Sequence, residues 1–179
     1  MYNNQHMGMC GESCATKFGF SRQDQDNYAI ESYRRSAEAW KSGKFAEEVA
    51  PISVLKKKGS PPTVLSQDEE FTNIQLDKVA QLKPAFKKDG TVTAANASTL
   101  NDGASAMVVM SGKEAKKLGL KPLFRIKGFG DAARDPVEFT IAPSDAVPRA
   151  VKMSGLQISD VEYHEINEAF SVVALVNMK

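Results

Sequence analysis

The spacing of apolar and polar positions predicts two helices near the start of the chain. One apolar face recurs every three or four positions between residues 22 and 42, at Ile30, Tyr33, Ala37 and Trp40. Ser21 can cap the first turn of this helix, with Asp24 three residues further on, and Gly43 supplies the stop. A shorter helix is predicted before it, over residues 8–18.

Segments rich in Val, Ile, Thr and Phe predict strands. In chain order these are two short strands within residues 48–65, then single strands at 91–94, 104–110, 124–129 and 161–166. The continuous apolar run at 104–110 is typical of a strand buried on both faces. The alternation at 124–129 indicates a half-exposed strand.

The second half of the chain alternates these strands with helices. We expect a helix that carries Lys116 and Lys117, one over residues 143–153 and one over residues 168–178. Pro148 lies inside the second of these and implies a kink or a late start. Alternating strands and helices predict the α/β class.

Charge and composition narrow the classes of partner. The 23 basic and 22 acidic residues leave a net charge of +1, so no nucleic acid or membrane partner that relies on bulk charge is expected. The lysine clusters at 56–58, 87–88 and 116–117 are interpreted as solvated surfaces that can also bind a small anion. No apolar run reaches the roughly 18 residues of a membrane-spanning helix. Cys10 and Cys14, four positions apart, fit helical neighbours better than a disulfide.

Three places could carry chemistry, and each has a structural alternative. Asn167 can cap a helix, or its amide can hold a water or substrate oxygen at the end of a strand. The stretch from Asn96 to Ser98 is an ordinary turn or a set of donors for an anion or carbonyl. His6, beside Met7, is a titratable ring or a structural histidine, and His164 is interpreted as structural.

Taken together, these places resemble one family. Residues 167–170 read Asn-Glu-Ala-Phe, residues 91–103 read Thr-Val-Thr-Ala-Ala-Asn-Ala-Ser-Thr-Leu-Asn-Asp-Gly, and residues 6–8 read His-Met-Gly. In this order, over almost the whole chain, they resemble the thiolases, most closely the mitochondrial type. The resemblance implies an incomplete thiolase fold of αβαβα halves, with most of an α+β loop domain.

The resemblance also implies a domain division and an activity. Residues 1–100 would belong to the loop domain that covers coenzyme A, 101–121 to the end of the N-terminal core domain, and 122–179 to the first part of the C-terminal core domain. The family activity is that of an acetyl-CoA C-acetyltransferase, which converts two acetyl-CoA into acetoacetyl-CoA and reverses this by thiolysis. A homotetramer in mitochondria is implied, and a cytosolic location stays open.

Residue roles follow from the same resemblance. Asn167 would bind the water of an oxyanion hole. Coenzyme A and its acyl group would contact His6, Met7, Tyr33, Lys78, Phe86, Ser98, Phe139 and Phe170. In the mitochondrial type, K⁺ would bind the hydroxyl of Tyr33 and the carbonyl oxygens of Ala94, Ala95 and Ala97.

The catalytic cysteines of the family are not expected among these residues. The acylated cysteine would precede residue 1, and the Gly-His-Pro histidine and the Cys-x-Gly cysteine would follow residue 179. Cys10 and Cys14 match neither motif. We therefore expect this piece to be inactive alone. The alternative is a truncated, non-catalytic module that binds coenzyme A or assembles with another subunit.

Overall fold

Side-chain caps at His6, Ser21 and Ser111 begin three of the α-helices among the described residues. The computed structural model describes residues 4–55 and 59–179. Its α-helices are α1 (Met7–Phe18), α2 (Arg22–Lys41), α3 (Glu70–Asn73), α4 (Gly112–Lys117), α5 (Pro143–Ser154) and α6 (Ser171–Met178). Short 3₁₀-helices span Leu76–Gln81, Pro136–Ile141 and Ile158–Asp160. Among the described residues, no helix is long and apolar enough to cross a membrane.

The predicted cap of α2 is confirmed. The Ser21 hydroxyl accepts from the Asp24 amide at 3.1 Å, and the Asp24 carboxylate accepts from the Ser21 amide at 2.8 Å. The fully buried residues of α2 are, however, Gln25, Asp26 and Ala29, while the predicted apolar face is only partly buried. This helix therefore turns polar side chains toward its neighbours.

The hydrophobic core lies between α1, α6 and the 3₁₀-helix Pro136–Ile141. Its buried members are Cys14, Ala15, Val92, Ile141, Phe170, Val172, Val173 and Val176. Cys10 and Cys14 are both buried free thiols on α1, so the predicted helical pair is confirmed.

The strands agree with prediction only in part. The two strands predicted within 48–65 are β1 (Ile52–Val54) and β2 (Thr63–Leu65), which pair antiparallel with Ile52 opposite Leu65. The lysine cluster at 56–58 lies outside the described residues.

The other predicted strands, at 91–94, 104–110, 124–129 and 161–166, are wrong, because none of these segments is a strand. Residues 104–110 were expected to be buried on both faces, yet Val108 is 85% exposed. A strand needs a neighbour for its backbone hydrogen bonds, and no described residue pairs with 104–110, 124–129 or 161–166. Val92 and Thr93 are buried, but side chains rather than a partner strand accept from the amides of residues 91–93.

The last two helices differ from prediction in detail. Helix α5 runs from Pro143 through Pro148, so the alternative of a late start is wrong. Helix α6 begins at Ser171, three residues later than predicted, and extended Phe170 precedes it without a side-chain cap. The N-cap interpretation of Asn167 is therefore wrong. The helix starts late because the backbone at 169–171 is hydrogen-bonded to another segment.

Candidate functional site

The Ala94–Ser98 stretch is the segment to which residues 169–171 are hydrogen-bonded. The motif at 91–103 and the motif at 167–170 therefore lie side by side. Ala97 and Phe170 form an isolated antiparallel bridge. The Ser98 amide donates to the Ala169 carbonyl at 3.0 Å, and the Ser171 amide donates to the Asn96 carbonyl at 2.9 Å. The motifs are therefore joined through backbone atoms.

From one side, the amide of Asn96 fixes this stretch to α2. Asn96 is 2% exposed. Its Oδ1 accepts from the Thr93 amide at 2.8 Å, and its Nδ2 donates to Asp26 Oδ1 at 2.9 Å and to the Thr91 carbonyl at 3.0 Å. Asp26 in turn accepts from Arg22 Nε at 2.7 Å. The Asn96 side chain therefore holds this stretch in place through its amide oxygen and its amide nitrogen.

From the other side, Glu12 on α1 holds the two residues Thr91 and Val92, which lie just before this stretch. This carboxylate is 4% exposed. It accepts from the amide of Thr91 at 2.8 Å, from its hydroxyl at 2.9 Å and from the amide of Val92 at 2.8 Å. A Cβ on Gly90 would clash with Glu12 Oε1. Charge-assisted bonds of this kind are stronger than neutral ones, so segment 91–98 is held rigidly.

A cavity of about 260 Å³ opens between α2 and this stretch. Tyr33, Ala95, Ala97 and Ser98 line it, whereas Ala94 does not. Carboxylates of Asp68, Glu70 and Glu168 also face it. Burial, and then the charge of Glu70, raises the pKa of Tyr33. The phenol oxygen is therefore neutral at physiological pH, and the cavity wall combines oxygen donors with negative charge.

Three of the predicted lining residues, His6, Phe86 and Phe170, form a cluster of ring contacts beside the same bridge. The His6 and Phe86 rings stack with centroids 4.6 Å apart, and Phe86 meets Phe170 edge-on at 6.3 Å. Phe139 packs against the same core as Phe170, while Met7 is 52% exposed. A Cβ on Gly8 would clash with the Phe86 ring, so only glycine allows this approach.

His6 has a structural task. Its Nδ1 accepts from the Gly8 amide at 3.1 Å and caps α1. His164 lies in a second cavity, of about 560 Å³, with Tyr28 and Pro148.

Two predicted site residues stand apart from these contacts. Asn167 is exposed, and its side chain makes no hydrogen bond within the described part of the chain. Lys78 is also exposed, on the 3₁₀-helix Leu76–Gln81. Its neighbour Val79 is tied to α2, because the Val79 carbonyl accepts from Arg22 Nη2 at 2.9 Å.

Burial raises the pKa of both thiols, Cys10 and Cys14. A thiolate is the reactive form of cysteine, so neither thiol is activated. Across residues 4–55 and 59–179, no cluster of three or more His, Cys, Asp and Glu side chains is placed to hold a metal ion.

Several residues at the site were missed by sequence reasoning, notably Glu12, Asp26, Tyr28 and Glu168. Glu168 sits within the Asn-Glu-Ala-Phe motif, so its position was a usable signal. Glu12 is the one acid in the otherwise small and apolar first half of α1, which also indicates a buried partner.

Comparisons with known proteins cover the whole chain. The family model described as thiolase, N-terminal domain, matches residues 1–113, and the model described as thiolase, C-terminal domain, matches residues 120–179. The mitochondrial acetyl-CoA acetyltransferases of Mus musculus and Rattus norvegicus are 52% and 53% identical over 180 residues. These alignments include 100% of this chain and 42% of each relative, so the chain spans less than half of their length.

Solved structures agree. The Bacillus anthracis acetyl-CoA acetyltransferase superposes with a TM-score of 0.93 at 37% identity, covering 98% of this chain and 44% of that one. The Acat5 thiolase of Ascaris suum, solved in complex with coenzyme A, gives 0.89 at 44% identity, covering 97% and 44%.

Proposed function

The chain belongs to the thiolase family, and from that membership we propose that it is a segment of an acetyl-CoA C-acetyltransferase. The predicted α/β class, as a partial thiolase fold, is confirmed by the structural neighbours. The complete enzyme would join two acetyl-CoA by Claisen condensation and cleave acetoacetyl-CoA in reverse. The observation that supports this most is the backbone pairing of the Ala94–Ser98 stretch with residues 169–171.

Asn167 is assigned the oxyanion role. In the complete enzyme, one cysteine would take the acyl group and a second would remove or return a proton at the acetyl methyl carbon. The thioester oxygen then gains negative charge. The free amide of Asn167 would hold the water that donates to this oxygen, and such preorganised donors contribute roughly 2.7–4 kcal/mol each in other enzymes.

Coenzyme A is assigned to the surface beside the bridge. His6, Met7, Phe86, Phe139 and Phe170 would supply the apolar wall of the acyl and pantetheine tunnel, as sites for such ligands require. The Ser98 hydroxyl would contact the pantetheine, and the exposed ammonium of Lys78 would offset phosphate charge.

Potassium is assigned to the cavity between α2 and the Ala94–Ser98 stretch. Oxygen donors suit a hard cation, and Tyr33, Ala95 and Ala97 all line this cavity. Ala94, outside the lining, would take part only through its carbonyl. When bound, the ion would supply positive charge that orders the stretch beside coenzyme A.

The remaining assignments rest on the family alone. We keep residues 1–100 as loop domain, 101–121 as N-terminal core and 122–179 as C-terminal core, within a homotetramer. The rodent relatives are named as mitochondrial, whereas a relative from Candida tropicalis is named simply acetyl-CoA acetyltransferase IB, so either compartment fits.

A second candidate is a non-catalytic module that assembles with another thiolase polypeptide. The observation in its favour is the exposure of the apolar segments 104–110 and 124–129, where Val108 is 85% and Phe129 67% exposed. Such a module would bind another thiolase polypeptide and cover the exposed apolar segments, but the complex would not turn over substrate.

A chimera tests the proposal. The matching region of the mouse enzyme would be replaced by this chain, and thiolysis of acetoacetyl-CoA measured for the chimera and for the isolated 179 residues. We expect turnover by the chimera only, because the isolated chain lacks Gly-His-Pro and Cys-x-Gly motifs. A folded but inactive chimera contradicts the proposed function, and turnover by the isolated chain contradicts its expected inactivity.

Within the chimera, Asn167→Ala should lower kcat about 100-fold and change KM less than about threefold, because the donor acts on charge that develops in the transition state. Asn27→Ala is the matched control, since Asn27 is exposed on α2 and, within residues 4–55 and 59–179, its side chain bonds only to Gln23. An unchanged kcat for Asn167→Ala rules out the oxyanion role.

A further inference from the structure

Two hydroxyl groups on α2 converge on one carboxylate of the Asn-Glu-Ala-Phe motif. Tyr28 and Ser32 lie one helical turn apart, so they share a face of α2. The Tyr28 hydroxyl donates to Glu168 Oε1, and the Ser32 hydroxyl donates to Oε2 at 3.0 Å. Each carboxylate oxygen thus has its own donor. Both donors are separated from Glu168 by more than half of the sequence.

The tyrosine is suited to remain a donor. Its pKa is raised by burial first, then by the hydrogen bond to Glu168 and the charge of that carboxylate. The phenol therefore keeps its proton over the physiological range. Hydrogen bonds to a charged acceptor contribute more than neutral ones.

The backbone next to Asn167 makes few contacts with the described residues. Backbone hydrogen bonds fix Ala169 and Ser171 to the Ala94–Ser98 stretch. No such bond reaches Asn167 in the described ranges, and its side chain is free. On the amino-terminal side of Ala169, Ile166 packs against the core and the Glu168 carboxylate bonds to Tyr28 and Ser32. Asn167 thus lies between an apolar contact and a hydrogen-bonded carboxylate.

We propose that Glu168, held by Tyr28 and Ser32, is a positioning residue that sets the direction of the Asn167 amide. The inference rests on the proposed function. It assigns the oxyanion donor a support that lies in a different motif, on the helix that also anchors Asn96 through Asp26. Misplacing a reacting group by about 1 Å can cost roughly 100-fold in rate, so loss of this support should appear in kcat.

The test compares Glu168→Gln, Tyr28→Phe and Ser32→Ala in the mouse chimera. We expect Glu168→Gln and Tyr28→Phe to lower kcat about tenfold with KM changed less than about twofold. The double variant Glu168→Gln/Tyr28→Phe should have a kcat no lower than that of the slower single variant, because both substitutions remove the same support. Ser32→Thr keeps a hydroxyl and should restore the activity lost in Ser32→Ala.

Tyr163→Phe and Glu162→Gln are matched controls, because both residues are exposed and neither contacts Glu168 in the described structure. If kcat is unchanged in the Glu168 and Tyr28 variants of an active chimera, the positioning role is wrong. Additive losses in the double variant are also against it, since they indicate two independent effects.

An inactive chimera rejects the proposed function but leaves the positioning role open to measurement. Backbone ¹⁵N relaxation on the full 179-residue chain then decides. Tyr28→Phe should lower the NMR order parameters of residues 167 and 168, because their link to α2 is lost, and Tyr163→Phe should not. Equal order parameters in the two variants overturn the inference.

Discussion

At the scale of single residues, the Glu12 carboxylate holds the backbone just before the Ala94–Ser98 stretch. It is buried on α1 and binds two successive amides, Thr91 and Val92. A buried amide left without an acceptor costs about 1–3 kcal/mol. The turn at Gly90 has to leave room for this carboxylate, so Gly90 helps to set the position of Thr91 and Val92.

Gly90→Ala tests this control. The added Cβ meets Glu12, whose oxygens cannot move without losing their donors, so the free energy of unfolding should fall by about 1–3 kcal/mol. Gly103→Ala is the control, because nothing lies within 4 Å of its Cβ. Urea unfolding of both variants measures the difference. Equal stabilities would show that Glu12 yields freely.

Candidate site residues could be proposed from motifs, whereas the side chains that hold those motifs in place could not. Ser98 and Phe170 belong to recognisable family stretches. Asp26 and Tyr28 look like ordinary polar positions of an amphipathic helix, and only the packing of α2 against distant segments gives them partners.

At the scale of elements, one ion pair joins α1 to the 3₁₀-helix Pro136–Ile141. Lys17 donates to Glu138 across the edge of the core. This hydrogen bond, and then the charge of Lys17, holds the pKa of Glu138 below its ordinary value of 4.5. A carboxylate with a lowered folded pKa stabilises the protein above its unfolded pKa and loses that contribution as the pH falls.

The thermal midpoint should therefore fall more in the wild type than in Glu138→Gln as the pH drops below 4.5. Salt should reduce the difference, since the pair is partly exposed. Circular dichroism melting across pH measures both proteins, with Glu162→Gln as the exposed control. A gap that is the same at neutral and acid pH argues against the pair.

Helices were predicted better than strands for a physical reason. The capping box at Ser21 and the left-handed glycines Gly19 and Gly155 act within a few residues, so they are readable locally. The strands predicted at 104–110 and 124–129 would need partner strands, and the described residues do not supply them. Likewise, the start of α6 was misplaced because the bridge at Phe170 is set by Ala97, far away in sequence.

At the scale of the whole molecule, segments 104–110 and 124–129 expose large apolar side chains to solvent. Met107 and Val108 are 72% and 85% exposed, and Phe124 is 66% exposed. Patches of this kind promote association, and an unpaired extended segment adds free backbone groups to it.

We expect the isolated chain to self-associate as its concentration rises, and Val108→Lys to weaken that association. The lysine removes apolar area and repels a second copy. Met153→Lys is the control, because Met153 is 56% exposed on α5, outside both segments. Sedimentation velocity at several concentrations compares them. Equal effects of the two substitutions would show that association does not use segment 104–110.

The bridge between Ala97 and Phe170 also has a kinetic consequence. Its two partners are separated along the chain by helices α4 and α5. Closing such a long loop costs conformational entropy before any contact repays it. The Ala94–Ser98 stretch should therefore meet the Asn-Glu-Ala-Phe motif late in folding, after α1 and α2 have formed. We therefore expect the helices that support the site to fold before the site itself.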